Sequence, residues 1–166
     1  RNARVGGESE NAFLRVTVGE AKFLIVGLEF GPRDKVVDWA NEIVAKYPDH
    51  HAILVTHAYM YSDDQRFHWT GPGKAQSWNP NAYPVGTNPA LAAEGVNDGE
   101  ALWQKLVSRH RQFLFTFNGH VLNDGIGTLF AAYQNPANVF ADATKDVPVL
   151  KIAGSALKAA KGATTL

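Results

Sequence analysis

Strand-like apolar runs that alternate with helical patterns constrain the fold of this chain more than any other feature. Residues 21–30 (AKFLIVGLEF), 51–57 (HAILVTH) and 111–120 (RQFLFTFNGH) are short and rich in β-branched or aromatic residues, as buried strands are. Between the first two runs, apolar residues recur on one face of a helix that starts near Asp34. A second helix is predicted over 99–110. The order strand, helix, strand, loop, helix, strand predicts an α/β fold whose sheet is at least partly parallel.

The predicted sheet extends at both ends. Gly19-Glu20 separates NAFLRVTVG from the next run, which predicts a hairpin, and 127–134 (GTLFAAYQ) predicts a further strand. The segment 58–96 has no clear periodicity and predicts a long loop that is functional or packed on itself. The 166 residues suit a single domain, 1–166. Its tail, 134–166, is uncertain, since a strand and a frayed helix both remain open.

Composition narrows the classes of partner. Formal net charge is zero, with 16 basic and 16 acidic residues, so no basic excess favours nucleic acid or an anionic membrane. No apolar run approaches the ~20 residues that span a bilayer. Because cysteine is absent, a metal would need His, Asp, Glu, Asn or backbone oxygen as ligand. The start RNARVGGESE lacks Met and predicts a cleavage product or the middle of a longer protein. A bacterial, exported protein is one interpretation, and the compartment stays open.

Two of the strand-like runs end in a histidine, His57 and His120. Because the carboxyl ends of parallel strands meet at one edge of a sheet, we expect the two side chains to lie close together. Neutral imidazole is a common ligand of Zn, Mn and Fe. Gly119 lets the backbone turn sharply before His120. From position alone, two histidines with ordinary structural roles are an equally good interpretation.

The stretches ILVTHAY and FNGHVLNDG resemble the last two metal-binding motifs of the calcineurin-like metallophosphoesterases. GLEFGPRDKVVDWANEIVAKYPDHHAILVTHAY and NDGEALWQKLVSRH resemble the segments that precede those motifs in bacterial members, so the likeness covers about Phe13 to Gly127. It implies part of a four-layer αββα sandwich with mixed sheets. It also implies a phosphoester substrate and two divalent metal ions (Zn, Mn or Fe) that clamp the phosphate and activate water. His57 and His120 would both bind the second metal.

The sequence departs from the family at two points. The last family motif is Gly-His-x-His, whereas Leu122 replaces its second histidine. Asn123 or Asp124 could take its place as an oxygen ligand, and Asp124 is our candidate. The earlier motifs Asp-x-His, Gly-Asp-x-x-Asp and Gly-Asn-His-Asp/Glu are absent, apart from 49–51, which predicts a solvated turn at the wrong end of the sheet. These departures predict the C-terminal half of such a domain, inactive alone, with one apolar sheet face uncovered. A missing N-terminal half or partner chain would supply the other ligands.

The loop after His57 is expected to form one wall of the substrate pocket. Arg66 could bind phosphate oxygens with its forked guanidinium, and His68 could act as general acid for the leaving group. For both, a structural role in the loop is an equally good interpretation. Trp69 and Trp78 are expected to be buried in a small core of the loop itself, because large aromatic side chains mostly bury themselves.

Three functions therefore remain open. The leading one is hydrolysis of a phosphoester at a dinuclear metal centre, to which this chain contributes part of the site. The second is a non-catalytic calcineurin-like scaffold that binds a partner or ligand through its aromatic loop, which Leu122 and the missing acidic motifs favour. The third is a sugar- or polymer-binding module, because four Trp and five Tyr could supply stacking surfaces.

Overall fold

The computed structural model describes residues 3–4, 10–62, 65–71, 76–121 and 129–132, with the backbone alone at 3–4 and 129–132. These residues form a mixed sheet flanked by helices, which confirms the α/β class. The six strands lie in the sheet in chain order. They are β1 Ala3–Arg4, β2 Ala12–Val18, β3 Ala21–Gly27, β4 His51–Val55, β5 Phe113–Asn118 and β6 Leu129–Ala132.

The pairing of the strands gives the sheet one edge where three carboxyl ends meet. β2 and β3 form the predicted antiparallel hairpin, and Gly19 at its turn has a φ of 60°, a conformation that glycine adopts without strain. β3, β4 and β5 are parallel to one another, while β6 returns antiparallel to β5. The predicted parallel arrangement is therefore confirmed for the strands that lead to both histidines.

The two longer helices pack on one face of the sheet. Helix α1, Asp34–Lys46, presents the apolar stripe that its sequence predicts. The predicted helix over 99–110 is shorter, because the α-helix, α4, covers Gly99–Lys105 and Val107–Arg109 forms a separate 3₁₀ turn. Buried side chains of both segments share one core cluster with the strands. Its members include Leu24, Val26, Val36, Val37, Ala40, Val44, Ala52, Leu54, Leu102, Leu106 and Val107.

The opposite face of the sheet is apolar but incompletely covered. Strand register places Leu14, Ile25 and Ile53 in one row, and the alternation of side chains directs them away from the helices. Val55 lies on the same face. Leu14 and Val55 are each 40% exposed, whereas Leu24 and Leu54 on the helix face are fully buried. This difference agrees with the predicted open face.

The segment 58–96 contains three single-turn helices that its sequence pattern does not predict. They are a 3₁₀ turn at Pro80–Ala82, α2 at Pro84–Thr87 and α3 at Pro89–Ala92. Proline begins each turn, and the side chains of Asn79 and Asn88 cap the first and the third. In the described part of the chain, no helix is long and apolar enough to cross a membrane.

Candidate metal site at the carboxyl edge of the sheet

The three parallel strands bring their C-terminal residues to a common edge. β3 continues into Glu29 and Phe30, β4 into Thr56 and His57, and β5 into Gly119 and His120. Strand pairing extends to this edge, since the N–H of Leu28 donates to the carbonyl of Val55 (2.9 Å) and that of Gly119 to the carbonyl of His57 (3.1 Å). The backbone therefore holds both histidines in register.

The imidazole rings of His57 and His120 lie next to each other. Their centroids are 4.7 Å apart and their planes meet at 69°. The predicted proximity is thus confirmed, while metal binding itself stays a prediction. The Phe30 ring lies 5.7 Å from that of His57 and 5.0 Å from that of His120, and Tyr83 lies 5.5 Å from His120. Aromatic side chains therefore border the pair, and His120 has the larger number of them.

The two histidines differ in how they are held. His57 is exposed, and its ring nitrogens make no hydrogen bond within the described part of the structure. His120 has a φ of 74°, a left-handed conformation, and its Nε2–H donates to the main-chain carbonyl of Trp78 at 2.8 Å. Partial burial lowers the pKa of His120 below its usual value; the Trp78 hydrogen bond opposes this, and nearby His57 adds to it. The net lowering of the pKa of His120 favours a neutral imidazole, the form that binds metal.

A buried polar network fixes the loop that contacts His120. Asn79 is fully buried, and its Nδ2 donates to Oδ2 of Asp98 at 3.1 Å. The N–H of Trp69 donates to the same oxygen at 2.7 Å, while Oδ1 of Asp98 caps helix α4 by accepting from the N–H of Ala101. Asp98, which caps α4, therefore holds the loop at two points, Trp69 before residues 72–75 and Asn79 after them.

Arg66 contacts a protein carboxylate. Its Nε donates to Oε2 of Glu100 at 2.7 Å, and its guanidinium lies over the ring of Trp103 at 4.8 Å. Glu100 lies in the first turn of α4, as the sequence predicts. This arrangement provides the structural role that the sequence left open for Arg66. A contact between Arg66 and a phosphate stays a prediction.

His68 packs against the backbone of the same loop. A Cβ added at Gly71 would lie within 2 Å of Nδ1 of His68, so a larger residue there would require the His68 ring to move. The main-chain N–H of His68 donates to Oε1 of Gln76 at 3.0 Å. Among the described residues, no hydrogen bond joins Arg66 or His68 to the histidine pair, and the general-acid role of His68 stays a prediction.

The expected burial of Trp69 and Trp78 is wrong, since the two residues are 40% and 43% exposed. The aromatic residues that fill the interior of this region are Tyr59 and Phe67, both fully buried. The two tryptophans are held at the surface through their main chains, by Asp98 and by His120. Their rings are therefore available to solvent or to a ligand.

Phe30 and Glu29 lie at the site but were not predicted from the sequence as site residues. Phe30 follows β3 as His57 follows β4. The expectation that the residues after parallel strands meet at one edge of the sheet therefore applies to Phe30 as well. Tyr83 and Asn79 belong to the loop after His57 that was expected to form a wall of the pocket, and Tyr83 does lie beside His120. Glu29 also lies at this edge, where Arg33 and Asn11 bind its carboxylate. Burial raises the pKa of Glu29, but those hydrogen bonds outweigh it and lower the pKa below its usual range.

The described residues supply an incomplete set of metal ligands. In the ranges that the structure describes, no group of three or more His, Asp or Glu side chains could hold a metal ion. Two adjacent neutral imidazoles fit as two ligands of a Zn, Mn or Fe centre, and further ligands would be required. Asp124, the predicted oxygen ligand in place of the family's second histidine, and Leu122, which occupies that histidine's position, lie outside the described residues.

Comparison with known proteins finds no relative of this chain. No protein-family model matches the chain, and neither curated proteins nor solved structures give a significant match.

Proposed function

We propose that this chain forms part of a metal-dependent phosphoesterase of the calcineurin-like type. The observation that carries the proposal is the pair of imidazoles, 4.7 Å apart, at the carboxyl edge of a mixed sheet. His57 and His120 would bind one of two divalent metal ions, Zn, Mn or Fe. When bound, such ions stabilise charge on phosphoryl oxygens and lower the pKa of an attacking water.

The residues around the pair suit that task. The hydrogen bond from His120 to Trp78 restricts ring rotation, and the exposed His57 can reach an ion from solvent. Phe30 and Tyr83 displace water from one side of the pair, which strengthens electrostatic interactions there. Arg66 and His68 remain candidates for phosphate binding and proton transfer, provided that Arg66 leaves Glu100 when substrate binds.

The proposal includes a complementary half of the domain. Asp124 and residues on a missing N-terminal half or a partner chain would complete the ligand set. The apolar sheet face with Leu14 and Val55 supports this part, because a second sheet of an αββα sandwich would cover that face. Phosphoester hydrolysis by the 166 residues alone is therefore not expected.

A second candidate function is ligand binding by a non-catalytic scaffold. The exposed rings of Trp69 and Trp78 favour it, because exposed aromatic rings offer stacking surfaces to sugars and planar molecules. The ring of Tyr61 lies 6.4 Å from that of Trp78 and widens this surface. In this function the histidine pair would not bind metal.

Metal titration separates the two candidates. Zn²⁺ and Mn²⁺ binding would be measured by calorimetry, and retained metal by elemental analysis after dialysis. We expect His57→Ala and His120→Ala each to weaken binding at least 10-fold, because each removes one of few nitrogen ligands. The matched control is His50→Ala, which removes a histidine at the amino end of β4, where it contacts Asp49. Hydrolysis of an aryl phosphodiester and monoester would be assayed in parallel. If His120→Ala retains its metal, the phosphoesterase proposal is wrong and the scaffold takes its place.

A further inference from the structure

We propose that Trp78 and Asn79 are positioning residues that fix the tautomer of His120, so that Nδ1 of its ring faces a divalent metal ion as the ligand atom. The metal part of this inference rests on the proposed function. The tautomer is a property of the chain alone and can be tested without metal.

The assignment of the proton follows from the partner of Nε2. A carbonyl oxygen can only accept, so the 2.8 Å contact with Trp78 requires the proton on Nε2 of His120. A neutral imidazole carries a single proton, which leaves a lone pair on Nδ1. Nδ1 makes no hydrogen bond in the part of the chain that the structure describes. It is therefore the nitrogen that remains for an ion.

The position of the Trp78 carbonyl depends on an uncommon backbone conformation. Trp78 has a φ of 66°, in the left-handed region that bulky L-residues rarely adopt. Such a conformation persists where the surroundings hold it in place. The neighbouring residue, Asn79, holds the backbone of Trp78 in this conformation. Asn79 is fully buried and donates to Asp98, which caps helix α4.

The backbone of His120 is fixed by separate contacts. His120 itself has a φ of 74°, and the N–H of the preceding Gly119 donates to the carbonyl of His57 at 3.1 Å. The loop at Trp78 thus holds the ring of His120, and the end of β4 holds the main chain that precedes it. A backbone carbonyl that orients a histidine in this way is a common partner of metal-binding histidines, and its loss costs 10–100-fold in metal affinity.

Two substitutions at Trp78 isolate the role of its carbonyl. Trp78→Gly removes the ring but keeps the left-handed backbone, because glycine adopts positive φ freely. Trp78→Val also removes the ring, but its β-branched side chain disfavours positive φ and should move the carbonyl. Asn79→Ala should have the same effect as Trp78→Val by releasing the loop. Trp69→Ala, which removes the other exposed tryptophan, is the control.

The readouts are the His120 tautomer, from long-range ¹H–¹⁵N NMR of the metal-free chain, and the affinity for Zn²⁺ alone. We expect the Nε2–H form in the unmodified chain, Trp78→Gly and Trp69→Ala. Trp78→Val and Asn79→Ala should give a mixture of tautomers and at least 10-fold weaker Zn²⁺ binding, with the fold intact by circular dichroism.

The outcomes distinguish this inference from the proposed function. An Nδ1–H tautomer of His120 in the unmodified chain overturns the inference, whether or not the chain binds Zn²⁺. So does a Trp78→Val variant that matches Trp78→Gly in both tautomer and Zn²⁺ affinity. An Nε2–H tautomer that Trp78→Val disturbs, in a chain that binds no Zn²⁺, supports the positioning role and overturns the metal part of the inference for this chain.

Discussion

A pair of identical substitutions on opposite faces of the sheet tests whether one face is open. Val26 on β3 is fully buried against the helices, whereas Val55 on β4 is 40% exposed on the other face. Changing valine to alanine removes the equivalent of two methylene groups, about 1.6 kcal/mol of transfer free energy when the side chain is fully buried. The cavity left in a packed core raises the cost at Val26 to about 2–3 kcal/mol. At Val55 the buried fraction is smaller and solvent fills the space, so we expect about 1 kcal/mol or less.

Urea unfolding followed by circular dichroism measures both costs. The lower strand propensity of alanine affects both sites, so it largely cancels in the comparison. We expect Val26→Ala to destabilise the chain by about 1–2 kcal/mol more than Val55→Ala, with equal dependence on urea concentration. Equal costs at the two sites would refute the open face. The argument for a complementary half of the domain would then lose its structural support.

Two further predictions concern charged groups away from the histidine pair. Arg66→Ala should destabilise the chain by about 1–2 kcal/mol, because it leaves the half-buried Glu100 carboxylate without its charged partner, with Gln104 as its remaining donor. A double-mutant cycle with Glu100→Gln in urea unfolding measures the coupling, and a coupling near zero would restore Arg66 as a candidate phosphate ligand. The pKa of His110 lies below its usual 6.5 because of burial and nearby Arg109, so the folded state binds fewer protons than the unfolded state. Stability should therefore fall as pH drops below about 6.5 and level off below the lowered pKa, and His110→Gln should flatten this dependence; an unchanged pH profile of unfolding would contradict it.

Periodic sequence patterns predicted the helices and strands that bury apolar side chains at regular spacing. The positions of β3, β4 and β5, to within three residues at each end, and the start of α1 at Asp34 follow from runs and helical spacing in the sequence. The closeness of His57 and His120 follows from the same patterns, because parallel strands align their carboxyl ends.

The loop between β4 and α4 was not predictable in this way, because side chain–backbone contacts determine it. Its single-turn helices depend on caps such as Asn79, and single turns carry no apolar period. Trp69 was expected to be buried, because large aromatic side chains usually are. The hydrogen bond from its N–H to Asp98, 29 residues away, instead holds it at the surface. Arg66 likewise meets Glu100 across 34 residues of sequence. Such pairings follow from the folded loop and not from local spacing.

The two candidate functions require different parts of the same residue. Metal binding by His120 needs the main-chain carbonyl of Trp78, and the indole ring is incidental to it. Ligand stacking by a scaffold needs the exposed ring, and the carbonyl is incidental. Trp78→Gly removes the ring and keeps the carbonyl, so the two functions predict opposite losses. Retained Zn²⁺ binding in Trp78→Gly would support metal binding through the carbonyl, whereas loss of the quenching of tryptophan fluorescence by an added sugar or aryl ligand would support stacking on the Trp78 ring. A variant that loses Zn²⁺ alone would contradict the role given to the carbonyl.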